Sequence, residues 1–66
     1  EQVQALLARL APRDRLVLTL MYLEGCTVEE IAAATGWTKS MVKVQAHRAR
    51  KRLRKMLEAS PEESLP

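Results

Sequence analysis

Sixty-six residues with a net charge of +3 and a pI near 9.5 make one domain at most, close to the lower size at which a hydrophobic core suffices without staples. The single cysteine, Cys26, excludes an internal disulfide and fits a reducing, intracellular setting. No apolar run approaches the roughly 20 residues that cross a bilayer, and nothing resembles a signal peptide, so no membrane partner is expected. Paired carboxylates, a nucleophile–base set and a phosphate-cradling loop are all missing, so neither catalysis nor a cofactor is expected. The chain begins at Glu1 rather than a methionine and reads as a piece of a longer protein.

Strand signals are absent, because β-branched residues are scattered and no stretch alternates cleanly. The expected fold is all-α: a small domain of four helices over residues 1–58, followed by a disordered acidic tail over 59–66. "VQALLARL" places Val3, Leu6, Leu7 and Leu10 at helical intervals. "APRDRLVLTLMYLEG" begins a second helix, with Pro12 in its first turn and Gly25 just past its end. Leu16, Val17, Leu18, Leu20, Met21 and Leu23 cover much of its circumference, so it is buried on several sides or carries a partner surface. For Leu18, Met21 and Tyr22 both readings stay open: packing against the first helix, or contact with a partner.

"TVEEIAAATG" is a short third helix. Thr27 caps it, Glu30 completes a capping box, and Gly36 supplies the left-handed residue that ends it. Thr38 is the cap of a long fourth helix running to about Glu58. On that helix Val42, Ala46, Ala49, Leu53 and Met56 form one narrow stripe, and Ser40, Val44, His47, Arg48 and Lys51 lie opposite. The two alanines allow close approach of a neighbouring helix. The tail "ASPEESLP", with two prolines and two acids, is expected to be disordered.

Charge is concentrated on the fourth helix. Residues 1–37 balance to −2 and residues 38–66 to +5, with no acid between Thr38 and Leu57. Like charges one turn apart repel, so a run such as "AHRARKRLRKM" either solvates a helix end or meets a polyanion. The third and fourth helices are joined by a few residues around Gly36, the spacing of a helix-turn-helix whose second helix enters the DNA major groove. Ala32 is small where two helices nearly touch, and Ile31 and Val42 are placed to meet between them. An ordinary αα-hairpin has the same outline; the wholly non-acidic second helix favours double-stranded DNA.

"LAPRDRLVLTL", "YLEG", "TVEEIA" and "HRARKRL", in that order and spacing, resemble region 4 of the bacterial sigma-70 family, in its extracytoplasmic-function group. The likeness runs from Leu10 to Leu57. The resemblance implies a cytoplasmic bacterial protein that recognises the −35 promoter element in transcription initiation. It also implies attachment to core RNA polymerase through the flap of the β subunit and, in many members, restraint by an anti-sigma factor. The family's base-reading positions fall on Lys43, Val44, His47 and Arg48, and its helix-start contacts on Thr38, Lys39 and Ser40. Chemistry agrees: lysine or arginine donates to guanine O6 and N7, while valine offers apolar contact to a thymine methyl. Lys51, one turn further, is placed to meet the DNA backbone. Val44, Gln45 and Trp37 depart from the family's usual small hydroxyl, basic and aliphatic residues, which bears on the −35 sequence preferred.

Other readings compete for the same residues. The effector domain of a LuxR-type response regulator shares similar spacing, and "SMVKVQ" leans towards it, but such domains lack the continuous "HRARKRLRK" ending. A basic helix that binds an acidic partner protein is a second alternative. An anionic-lipid helix would set bulky apolar residues against its basic face, where Ala46 and Ala49 stand instead. His47 lacks the companions of a metal site. Arg50, Arg52, Arg54 and Lys55 either solvate the helix end and complement its dipole, contact phosphates, or meet an acidic surface. Cys26 reads as a small core or turn residue, and Trp37 as core, as a lid over the turn, or as a DNA contact.

Overall fold

In the computed structural model the backbone is described from Gln2 to Ser64 and the side chains from Gln4 to Glu58. Four α-helices follow one another: α1 (Gln2–Ala8), α2 (Pro12–Leu18), α3 (Val28–Thr35) and α4 (Lys39–Ser64). Among the described residues no strand occurs. Two i→i−3 bonds, Arg9 N–H to the Leu6 carbonyl at 3.1 Å and Leu10 N–H to that of Leu7 at 3.0 Å, tighten the end of α1. That turn brings Leu7 and Leu10 together into the core.

The second helix differs from the uninterrupted one expected. It changes at Leu18 into a π-helical segment, Thr19–Leu23, closed by the Glu24 N–H on the Thr19 carbonyl at 3.0 Å. A π turn accommodates an extra residue and rotates the side chains beyond it. The rotation leaves Leu20 and Met21 packed on the core and turns Tyr22 and Leu23 to solvent, 59% and 45% exposed. The helix is therefore not buried on several sides: Leu16 too is 41% exposed. Gly25 (φ 72°) reverses the chain, and the Cys26 N–H closes on the Leu20 carbonyl at 2.8 Å.

The third helix starts and stops where its end residues require. The Thr27 hydroxyl accepts from the Glu30 N–H at 3.1 Å while the Glu30 carboxylate accepts from the Thr27 N–H at 2.8 Å, so two donors that no helical carbonyl can reach are satisfied. Gly36 ends the helix at φ 81° and donates its N–H to the Ala32 carbonyl. Thr35 extends the closure: its hydroxyl donates to the Ile31 carbonyl at 2.8 Å and accepts from the Trp37 N–H at 3.1 Å.

Thr38 opens α4, its hydroxyl accepting from the Met41 N–H at 3.1 Å. The helix continues to Ser64, six residues beyond the expected end and into the stretch expected to be disordered; Leu65 and Pro66 lie outside the described residues. No glycine follows Leu57 to take the left-handed conformation that stops a helix. Pro61 nonetheless has no N–H to return to the Leu57 carbonyl.

The core is a single cluster of Leu7, Leu10, Val17, Leu18, Ile31, Val42, Ala46 and Ala49. α4 is its common wall, packing against α1, α2 and α3 and most extensively against α2. Val42, Ala46 and Ala49 are at most 2% exposed, and Leu53 and Met56 extend the same stripe half-buried. The small alanines let α4 lie close to α2, and that fixes which of its faces points outward.

Candidate nucleic-acid interface

The third and fourth helices form the expected helix-turn-helix. Ile31 and Val42 are fully buried in one cluster, Ala32 is half-buried against it, and Gly36 takes the positive φ that the turn requires. With Val42, Ala46 and Ala49 facing inward, the outward face of α4 presents Ser40, Lys43, Val44, His47, Arg48 and Lys51, all exposed. Val44 is 48% exposed, an apolar side chain among cations and so available for apolar contact with a base edge. Thr38 and Lys39 are exposed at the start of the helix. Thr38 already accepts the capping bond, which leaves its hydroxyl hydrogen free to donate. Lys39 Nζ lies 3.8 Å from Glu29 Oε2 with both side chains more than 60% exposed, a loose pairing that costs little to exchange for a phosphate.

Further along α4, Arg48, Lys51, Arg52 and Lys55 line a shallow groove of about 260 Å³. These positions are three and four residues apart, so they stack on one side of the helix. Four basic side chains around one depression, one of them (Arg52) paired with Asp14, form a positive surface continuous with the outward face.

The four basic residues read as solvating or contacting a polyanion divide by structure. Arg52 donates from Nη1 to Asp14 Oδ2 at 2.7 Å, an ion pair whose acid is 1% exposed and whose base is 56% exposed. Gln45 donates from Nε2 to the other oxygen of Asp14, also at 2.7 Å. Arg50 turns the opposite way, donating from Nη1 to the Tyr22 hydroxyl at 3.3 Å and lying 3.8 Å from Met21 Sδ. Lys55 lines the cationic groove, and Arg54 borders an apolar one with Tyr22, Arg50, Leu53 and Leu57. The helix is thus held on one flank by the first turn of α2 and on the other by the π-helical segment.

The candidate partner surface needs one correction. Leu18 is 1% exposed inside the core and has no surface to offer. Met21 is half-buried against the core, and Tyr22 is exposed beside Arg50. Trp37 is half-buried against the core, with the Arg13 guanidinium 5.8 Å from its ring centroid, within the range of a cation–π contact. Cys26 is likewise half-buried against the core.

Asp14, Gln45 and Arg13 carry more of this arrangement than the sequence disclosed. An acid in the first turn of a helix is ordinarily a solvated complement to the dipole; nothing in "APRDRL" marks Asp14 as fully buried. Gln45 is conspicuous only as a neutral residue in a basic helix, and its partner lies 31 positions away.

The family model for sigma-70, region 4 matches residues 1–53, a span that takes in α1, α2, α3 and α4 as far as Leu53. The chain is similar to the RNA polymerase sigma-E factor of Streptomyces avermitilis, with 46% identity over 50 residues, covering 76% of this chain and 28% of that protein. The chain therefore spans less than a third of that relative's length.

Proposed function

Since this chain belongs to the sigma-70 region 4 family, we propose that it recognises the −35 element of promoters as the C-terminal domain of an alternative sigma factor. The working unit in this reading is residues 1–58, a binding module acting in the bacterial cytoplasm rather than an enzyme. The observation that carries it is the outward face of α4: Lys43, Val44, His47, Arg48 and Lys51 exposed together, opposite a stripe no more than 2% exposed at Val42, Ala46 and Ala49. Lys43 and Arg48 are donors for guanine O6 and N7, and Val44 is an apolar neighbour for a thymine methyl. Thr38, Lys39 and Ser40 meet phosphates at the helix start, with Lys51 meeting them one turn beyond Arg48. Family membership also favours this reading over a response-regulator effector domain.

Core RNA polymerase is the natural partner, engaged through its β flap. The surface for it is Met21 and Tyr22 with the apolar groove that Tyr22, Arg50, Leu53, Arg54 and Leu57 line. That groove follows the C-terminal half of α4 and leaves the reading half clear, so both contacts can be made at once. An anti-sigma factor that occupied the same groove would compete with the polymerase.

Titration of duplexes selected from a randomised pool, at two salt concentrations, tests the DNA reading. Phosphate neutralisation supplies most of the affinity of so basic a surface, so binding should be weak for the isolated chain and fall steeply with salt. Absence of binding at low salt, or affinity indifferent to salt, contradicts it. Weak binding is tolerable in the assembled polymerase, where tethering raises the effective concentration.

A further inference from the structure

The Asp14 carboxylate spans Arg48, the foremost candidate base-reading residue. Its Oδ1 holds Gln45, one turn before Arg48, and its Oδ2 holds Arg52, one turn after, each at 2.7 Å. Arg48 borders the same depression as Arg13, Asp14, Gln45 and Arg52, between the first turn of α2 and α4. Resting on the DNA reading proposed above, we infer that Asp14 is a positioning residue. It fixes the rotation of α4 that aims Arg48 at the bases, and it keeps Arg52 off the DNA backbone by acting as a permanent internal substitute for a phosphate.

Burial makes the substitution permanent. The Asp14 side chain is 1% exposed whereas that of Arg52 is 56% exposed. If Arg52 left for a phosphate, Oδ2 would lose its charged donor, and breaking a pair whose acid is buried costs more than breaking a surface pair. Among the described residues no buried side-chain nitrogen or oxygen lacks a partner, and the two donors that Asp14 holds are Gln45 and Arg52, of which only Arg52 is charged. Lys39 and Glu29 make the contrast: two exposed groups 3.8 Å apart, either of which water can serve. Within one basic helix, then, Lys51 and Lys55 are available to phosphates and Arg52 is withheld. Gln45 gains its purpose here too. A lysine or arginine at that position would compete with Arg52 for one carboxylate, whereas an amide shares it without adding charge.

The test is a salt series on this chain and four variants, Arg52→Ala, Asp14→Asn, Asp14→Ala and the double change Asp14→Asn with Arg52→Ala. Each is titrated against a panel of ranked −35 duplexes and an unrelated duplex of equal length. Arg52→Ala should leave the slope of log affinity against log salt at the parent's value. Asp14→Asn keeps an acceptor for Gln45 but releases Arg52, so the slope should steepen by about 0.9, one added phosphate contact, with the ranking of sites retained. The double variant should return to the parent's slope. Asp14→Ala loses both tethers and should steepen the slope while flattening the ranking. A merely structural role for Asp14 would lower affinity without steepening any slope. The inference is overturned if Arg52→Ala alone makes the slope shallower by about 0.9, if Asp14→Asn leaves it unchanged, or if Asp14→Ala keeps the ranking. Should Arg52→Ala not fold, because it leaves the Asp14 carboxylate without its charged partner, Asp14→Asn and the double variant decide. A steeper slope for the first and the parent's slope for the second support the inference, and equal slopes for the two refute it. Should the Asp14 variants not fold, the slope of Arg52→Ala decides, unchanged in support and shallower in refutation. A parent chain that binds no duplex refutes the DNA reading and this inference together; a parent that binds, with any of the contrary slopes, refutes this inference only.

Discussion

Gly36 joins the two helices of the helix-turn-helix, and replacing it with valine separates backbone strain from steric clash. Its φ is 81°, and a Cβ built there meets nothing within 4 Å, so the whole cost of a side chain is conformational. An ordinary L-residue pays roughly 1–2 kcal/mol to hold the left-handed conformation, and a β-branched one loses more because its stiff side chain crowds the backbone. A loss of about 2–3 kcal/mol is expected for Gly36→Val. The stability of a 66-residue chain is itself only about 3–10 kcal/mol at the usual value per residue. Asparagine visits the same conformation readily, so Gly36→Asn should lose less than about 1 kcal/mol. Urea unfolding followed by far-ultraviolet circular dichroism reads the difference: with a slope of about 1 kcal/mol per molar, the valine midpoint should fall by about 2 M or more. A valine variant within about 0.5 kcal/mol of the parent, the range of a neutral surface change, would show that the turn does not hold this residue left-handed. Equal losses for valine and asparagine would refute the conformational explanation.

Ala49 is 0% exposed where α4 crosses the core, so Ala49→Leu should overpack the contact and cost about 1–3 kcal/mol, read by the same urea titration. An unchanged midpoint would mean that α4 does not lie close against α2. Thr27→Ala removes the acceptor of the Glu30 N–H and half of the capping box; a loss of about 1 kcal/mol is expected, and amide exchange should quicken first at the start of α3. Protection retained there would mean that another group caps the helix.

Local rules were legible in the sequence where the cause is local. Thr27 with Glu30, Gly36 and Thr38 mark three helix ends by their own side-chain or backbone chemistry, and all three ends lie where those residues put them. The inward stripe of α4 followed from spacing alone, since 100° per residue decides which positions share a face. Leu18 and Asp14 were not legible, for opposite reasons. Leu18 belongs to an apolar run whose periodicity does not separate core from partner surface, and the π turn after it, which no residue type announces, turns Tyr22 and Leu23 outward. Asp14 looks like a solvated first-turn acid until α4 is laid across it, bringing Gln45 and Arg52 from 31 and 38 positions away. Charge counting placed the positive surface on the right helix but could not sort its members. Arg50 and Arg52 are occupied by residues of other elements, while Lys51 and Lys55 line an open groove.

The central claim, that α4 reads bases with its N-terminal half and meets the backbone one turn later, is tested most directly by comparing Arg48→Ala with Lys51→Ala across a panel of −35 duplexes. Both side chains are exposed, so neither change should disturb the core. Arg48→Ala should cost about 1–3 kcal/mol on the preferred duplex and flatten discrimination among the others. Lys51→Ala should weaken every duplex about equally and reduce the salt slope. If Arg48→Ala preserves the parent's ranking while Lys51→Ala reorders it, α4 does not enter the groove by its N-terminal half.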